Sequence, residues 1–140
     1  MYQNFVWTEQ YSVNVEEIDM QHKQFFKICN DLLDNRDEKS LTKDEALIMV
    51  MRLGDYASYH LGTEEELFIK SKYPDAASHI IAHHEFREKV KNLLNRLRDE
   101  KTNTRETVNE AAIFAGEWLL NHILIMDKTY TKFFNDHGII

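Results

Sequence analysis

The feature that most constrains this chain is a group of histidines that keep the phase of its apolar residues. Four segments of the 140-residue sequence carry apolar side chains at the three-and-four spacing of one helix face. Histidine interrupts each of these stripes at a position on the same face. Histidines on a solvated surface would not keep that phase, so the sequence predicts that they meet in a core. They are His22, His60, His79, His83 and His122.

The pattern of helix formers and breakers predicts an all-α fold. One proline and four glycines leave the helices almost uninterrupted, and no alternating β-branched run competes with them. Short connections make sequential helices antiparallel neighbours. The sequence therefore predicts a single domain over residues 1–140, an up-down-up-down four-helix bundle with an extended N-terminal arm. The arm covers residues 1–17, and the helices cover about 19–36, 43–70, 76–100 and 105–127.

Local signals place the helix ends. Asp19 is the expected N-cap of the first helix, and Thr42 followed by Glu45 is a capping box for the second. Pro74 ends the second helix, and Asp75 is expected to cap the third.

Composition excludes several classes of protein. No apolar run approaches the roughly 20 residues that cross a bilayer, and the first ten residues lack the pattern of a signal peptide, so we expect a cytoplasmic protein without membrane insertion. The net charge of -7 argues against a nucleic-acid partner. The single cysteine, Cys29, excludes an internal disulfide and a cysteine-based zinc site, and its apolar neighbours predict a packing role.

Two pairs of polar residues have the spacing of metal ligands. His60 with Glu64 and His79 with His83 lie four residues apart, so each pair projects from one helix face. A buried Glu64 costs several kcal/mol unless a cation compensates it, and no inward lysine or arginine lies near it on its helix. Asp127, five residues after His122, could reach the same point from a helix end. The pattern predicts a metal site.

The number of candidate ligands indicates two ions. Five histidines and two carboxylates are too many for one ion, and tetrahedral zinc would leave several unused. Two six-coordinate ions accommodate them together with a bridging oxygen and leave one position open. Imidazole with carboxylate suits iron, although manganese or a mixed pair fits the same ligand types.

The motifs around these residues resemble the bacterial hemerythrin family. The matching segments are IDMQH, HLGTEEE, HIIAH and HILIMD, with YP before the third and WL before the fourth. The resemblance covers nearly the whole chain. It implies two non-haem iron ions bridged by an oxo or hydroxo group, with dioxygen as the ligand. By this resemblance one iron is held by His79, His83 and His122, and the other by His22 and His60. Glu64 and Asp127 bridge the two irons.

The same resemblance implies an apolar pocket for oxygen. Each pocket residue could equally be plain core. The sequence departs from the common family pattern at Leu61, where phenylalanine is usual, and at Phe68, where methionine is frequent. Tyr130 is expected to donate a hydrogen bond to Asp127 and to orient it. The implied pocket residues are Phe25, Leu61, Trp118, Ile123 and Ile125.

Four functions are compatible with the sequence. The favoured one is reversible dioxygen binding for transport, storage or delivery, without enzymatic activity. A second is an oxygen or redox sensor that acts on a protein partner, which the sequence does not specify. A third is a di-iron enzyme, such as an oxidase, a peroxidase or a nitric-oxide-handling protein. The fourth, a metal-free bundle with core histidines, leaves Glu64 without compensation.

Overall fold

The computed structural model describes residues 4–35 and 40–140, and helices dominate this part of the chain. A 3-10 turn, Asp127–Tyr130, and a short helix α5, Thr131–Asp136, follow four long helices. The predicted end of the first helix at residue 36 and the first three arm residues lie outside the described residues. The long helices are α1 (Glu16–Asn35), α2 (Lys43–Ser71), α3 (Ala76–Arg98) and α4 (Thr104–Ile125).

The four long helices pack in a ring around one core. Helix α1 contacts α2 and α4, and α3 contacts the same two neighbours. The prediction of an all-α four-helix bundle is confirmed. None of the helices in the described residues has the length and apolar character needed to cross a membrane.

The first helix begins earlier than predicted. It starts at Glu16, so the expectation that Asp19 is its N-cap is wrong. Asp19 lies within the first turn, where its carboxylate accepts hydrogen bonds from Ser12 Oγ at 2.6 Å and from the backbone N–H of Val13 at 2.8 Å. The chain reverses at Asn14, whose φ is 54°, and this reversal returns the preceding residues to that carboxylate.

The signals at the ends of α2 and α3 have mixed outcomes. The capping box is confirmed, since Thr42 Oγ1 accepts from the Glu45 N–H at 3.1 Å and Glu45 Oε1 accepts from the Thr42 N–H at 3.2 Å. Asp75 stands at the N-cap of α3, but its side chain makes no capping hydrogen bond. The oxygen of its backbone carbonyl instead accepts from Ser78 Oγ at 3.0 Å.

The N-terminal arm is fixed to the bundle by aromatic packing and by one amide. Trp7 lies 5.8 Å from Phe26 between ring centroids, and Tyr11 meets the same ring edge-on at 5.5 Å. Asn30 on α1 accepts from the Phe5 N–H at 2.7 Å and donates to its carbonyl at 2.9 Å. The arm therefore covers one side of α1.

The core has a polar end and an apolar end. The histidines lie in the first halves of α1 and α3 and in the second halves of α2 and α4, so an antiparallel bundle brings them to one end. The other end is filled by leucine, valine and alanine. Cys29 is completely buried, and burial raises the pKa of its thiol to about 12, which fits packing rather than reactivity.

Candidate metal centre

Seven buried side chains from four helices and one turn meet at the polar end of the core. They form two groups, and within each group the potential ligand atoms all lie within 4.8 Å of one another. Glu64 and Asp127 belong to both groups, so the two groups overlap at these carboxylates. The first group is Glu64, His79, His83, His122 and Asp127, and the second is His22, His60, Glu64 and Asp127.

Local structure explains how each element contributes. One turn of α2 carries His60 and Glu64 on the same face, and one turn of α3 does so for His79 and His83. Helix α4 ends at Ile125, and the tighter 3-10 turn after it carries Asp127 inward until it is completely buried. In an ideal helix Asp127, five residues after His122, would point to a different side of the helix from His122. The 3-10 turn changes that direction, so both side chains face the centre.

The ring nitrogens and carboxylate oxygens approach closely. Asp127 Oδ1 lies 2.8 Å from His79 Nε2 and 3.0 Å from His122 Nε2, while its Oδ2 lies 3.1 Å from His22 Nε2. Glu64 Oε1 lies 2.8 Å from His60 Nε2. Adjacent ligands of a six-coordinate ion with bonds of about 2.1 Å are separated by about 3 Å, so these spacings fit metal coordination.

Despite these short separations, several of these atoms have no hydrogen-bond partner among the described residues. Burying such groups unpaired costs free energy, and a metal ion would satisfy a lone pair on each one at once. The donor set therefore fits a pair of metal ions. The unpartnered atoms are His22 Nε2, His60 Nε2, His83 Nε2, both oxygens of Glu64 and Oδ2 of Asp127.

Without metal and at neutral pH, the two carboxylates are ionised, and His22 and His79 carry charge. Burial alone would raise the pKa of Glu64, but its imidazole neighbours, among them the charged His22 and His79, hold it well below its usual range. The pKa of Asp127 is also low, because His122 and His22 outweigh burial and the charge of Glu64. Burial alone would lower the pKa of His22 and His79, but their carboxylate neighbours raise both to about 9.

The imidazoles of His60 and His83 stay neutral at neutral pH. Burial lowers the pKa of His60, and it lowers the pKa of His83 to about 4. A neutral imidazole with one bonded proton keeps a lone pair on its second nitrogen, which is the form that binds metal. His60 and His83 are therefore ready to act as ligands without losing a proton.

Sequence reasoning missed three residues that surround the centre. Gln21 Oε1 lies 2.8 Å from His60 Nδ1, and Glu65 Oε2 lies 2.7 Å from His83 Nδ1. Arg87 donates to the same Glu65 oxygen at 2.9 Å. Their positions in the sequence could have indicated them. Gln21 and Glu65 each adjoin a predicted ligand, and Arg87 lies one helical turn after His83.

Of the residues expected to line an oxygen pocket, three are buried, Trp118 is half-buried and one is exposed. Phe25, Leu61 and Ile123 are completely buried, and Trp118 stacks on His122 with ring centroids 4.3 Å apart. Ile125 is 69% exposed, so its assignment to the pocket is wrong. It lies two residues after Ile123, which rotates it by about 200° around the helix axis, away from the core.

Aromatic rings close the end of the centre that faces α5. Phe68 lies 4.8 Å from His79 between ring centroids, and Tyr130 stacks on the same imidazole at 5.7 Å. The buried Tyr130 hydroxyl has no hydrogen-bond partner among the described residues, so the structure does not show the predicted donation to Asp127. His84 and His137 are exposed and lie outside both ligand groups.

Comparison with known proteins agrees with this architecture. The Hemerythrin HHE cation binding domain family matches residues 13–134. A bacteriohemerythrin of Clostridium acetobutylicum is 27% identical over 130 residues, which cover 90% of this chain and 98% of that protein. A bacteriohemerythrin of Methylococcus capsulatus is 33% identical over 131 residues, which cover 89% and 92%. A crystal structure of wild-type hemerythrin superposes with a TM-score of 0.80 at 28% identity, covering 93% of this chain and 97% of that one. This chain belongs to the hemerythrin family.

Proposed function

We propose that this protein binds dioxygen reversibly at a non-haem di-iron centre and serves oxygen transport, storage or delivery rather than catalysis. The observation that carries the proposal is the pair of overlapping ligand groups that share Glu64 and Asp127. Two ions bound by these groups would share the two carboxylates, and shared carboxylates are what a bridged pair of ions requires. Membership of the hemerythrin family supports dioxygen as the ligand.

The proposed ligands divide into three imidazoles for one ion, two for the other and two bridging carboxylates. When bound, two iron ions would supply the electrons and the coordination position that reversible dioxygen binding requires. The side with two imidazoles has fewer protein ligands, so dioxygen would bind on that side. The ligands are, in this order, His79, His83 and His122; His22 and His60; Glu64 and Asp127.

Apolar residues of the bundle keep water away from the side of the centre with two imidazoles. Phe25 meets His60 edge-on, with ring centroids 6.1 Å apart, and packs on Phe86 at 5.8 Å. Leu61, next to His60 in the chain, is completely buried. These side chains offer no proton to a bound molecule, so a bound dioxygen meets an apolar wall there. This environment favours release of intact dioxygen over its reduction.

The ligand set also favours binding over catalysis. Five neutral imidazoles stabilise high-valent iron less than a carboxylate-rich set would, because only Glu64 and Asp127 contribute negative charge. We therefore infer that the bond between the two oxygen atoms is kept.

The test is iron content followed by visible spectroscopy of anaerobically reduced protein. We expect about two irons per chain and an absorption band that appears in air and disappears when oxygen is removed. Two irons that only oxidise, with turnover of a reductant, would instead indicate an enzyme. Protein that takes up no iron would contradict the proposal.

Adjacent histidines provide a matched control for the ligand assignment. His83 is buried in the first ligand group, whereas His84, the next residue, is exposed. We expect His83→Ala to reduce iron content and to abolish the reversible band, and His84→Ala to preserve both. Equal iron content in the two variants would remove His83 from the site.

A further inference from the structure

In each half of the proposed centre, the Nδ1 atom of one ligand histidine donates a hydrogen bond, and the acceptors in the two halves differ chemically. On the three-histidine side, the Nδ1 atom of His83 lies 2.7 Å from a carboxylate oxygen of Glu65. On the two-histidine side, the Nδ1 atom of His60 lies 2.8 Å from an amide oxygen of Gln21. In both cases the imidazole donates from Nδ1, and its Nε2 faces the centre. The distances are nearly equal, but only one of the acceptors carries a charge.

The carboxylate of Glu65 divides its charge between two donors. Its Oε2 atom accepts from His83 and also from Arg87 Nη1 at 2.9 Å. Glu65 lies on α2, whereas His83 and Arg87 are one turn apart on α3, so the ion pair joins the two helices. The guanidinium withdraws part of the negative charge that would otherwise act on His83.

The amide of Gln21 is fixed by its own hydrogen bonds. Its Nε2 donates to Thr63 Oγ1 at 3.2 Å, and its backbone carbonyl accepts from the Tyr56 hydroxyl at 3.0 Å. These bonds leave the amide oxygen for His60. Gln21 therefore orients the ring of His60 without adding charge to it.

We propose that Glu65 is a positioning residue that makes His83 a stronger electron donor than His60, and that Arg87 limits this effect. The inference rests on the proposed di-iron function. A carboxylate acceptor draws the Nδ1 proton and so increases electron density on the opposite nitrogen, Nε2. The three-histidine side is therefore better suited to hold iron in its higher oxidation state, and the two sides are unequal before any ligand arrives.

Two substitutions that break the same ion pair separate this role from a structural one. Glu65→Gln replaces the charged acceptor with a neutral one, so we expect a more positive midpoint potential of the di-iron centre. Arg87→Gln leaves the whole charge of Glu65 to His83, so we expect a more negative potential. A merely structural ion pair would shift both variants in the same direction. Spectroelectrochemical titration of the iron-loaded protein measures the two shifts.

Metal affinity gives a second readout that does not depend on iron chemistry. We expect Glu65→Gln to weaken binding of Zn²⁺ by roughly 10-fold or more, as loss of such an orienting carboxylate does in other sites. Arg87→Gln should keep the wild-type affinity or exceed it. Competition with a chromophoric chelator measures both constants on protein prepared without iron.

Lys89 provides the control for a general loss of positive charge. It lies two residues after Arg87 on the same helix and pairs with Glu110 at 3.9 Å, away from Glu65. We expect Lys89→Gln to leave the potential and the Zn²⁺ affinity unchanged. Shifts of the same sign in Glu65→Gln and Arg87→Gln, or no shift in either, would overturn this inference while leaving the proposed function intact. Wild-type protein that binds neither metal would instead overturn the proposed function, and this inference with it.

Discussion

The Nε2 atom of His22, near the start of α1, lies 3.1 Å from the Oδ2 atom of Asp127, in the turn after α4. His79 Nε2 lies 2.8 Å from the other oxygen of the same carboxylate. Because the pKa of each of these histidines is raised to about 9, both are protonated at neutral pH when no metal is bound. Two imidazolium groups then balance the carboxylates of Glu64 and Asp127.

This balance predicts that the metal-free protein loses stability at alkaline pH. The folded pKa of His22 and His79, about 9, lies above the ordinary value of 6.5. Their contribution to the free energy of unfolding is therefore complete below pH 6.5 and is lost as the pH rises towards 9. Urea unfolding of chelator-treated protein between pH 6 and pH 9.5 should show a decrease of a few kcal/mol.

Variants of two histidines test the origin of that decrease. His22→Gln should reduce the dependence of stability on pH, whereas His84→Gln should leave it unchanged because His84 is exposed. Burial raises the pKa of Cys29 from 9.0 to about 12, so its thiol ionises in the unfolded chain first and also lowers the stability near pH 9, but equally in both variants. A metal-free protein with constant stability up to pH 9.5 would contradict the prediction.

The same protonation states predict that metal binding releases protons. A metal ion binds neutral imidazole, so His22 and His79 must each lose a proton at pH 7, whereas His60 and His83 are already neutral. We expect about two protons from these histidines for each pair of ions, in addition to any proton from a bound water. Calorimetric titration in buffers of different ionisation enthalpy measures the number. Release of less than one proton would show that these imidazoles are neutral beforehand.

Glu64 should be indispensable for both metal binding and the structure of the core. Glu64→Ala removes a shared ligand and leaves the imidazolium groups with Asp127 alone. Removing one partner from a buried set of charges costs about 3 kcal/mol or more, so we expect loss of iron and a lower melting temperature. Glu66→Ala is the control, since Glu66 is exposed on the same helix. Iron content equal to that of the control would show that Glu64 is not a ligand.

The seven candidate ligands that the sequence indicated lie together in the structure, and they could be recognised because their signals are local. Pairs four residues apart on one helix face, such as His60 with Glu64, must project together once the helix forms. The phase of each histidine with its apolar neighbours then points it towards the core. Asp127 was harder to place, because five residues after His122 is out of phase. The structure brings it inward through a 3-10 turn that the sequence does not specify.

The features that the sequence did not predict depend on contacts between elements. Glu65 looks like a solvated member of an acidic run until α3 presents His83 and Arg87 to it. Asp19 looks like an N-cap until the reversal at Asn14 brings the arm back to its carboxylate. Ile125 keeps an apolar character at the end of α4, where the helix has already turned it away from the core.

The packing of the arm on α4 gives a final prediction that does not depend on metal. A methyl group at Gly116 would overlap the ring of Phe5, whereas one at Gly62 would meet no described atom within 4 Å outside its own stretch of helix. Gly116→Ala must therefore displace the Phe5 ring, which should lower the free energy of unfolding by about 1–3 kcal/mol. Gly62→Ala should raise it by up to about 1 kcal/mol, because alanine is the better helix former. Since both glycines lie inside helices, their difference in urea unfolding isolates the contribution of the arm, and equal stability of the two variants would show that the arm does not pack there.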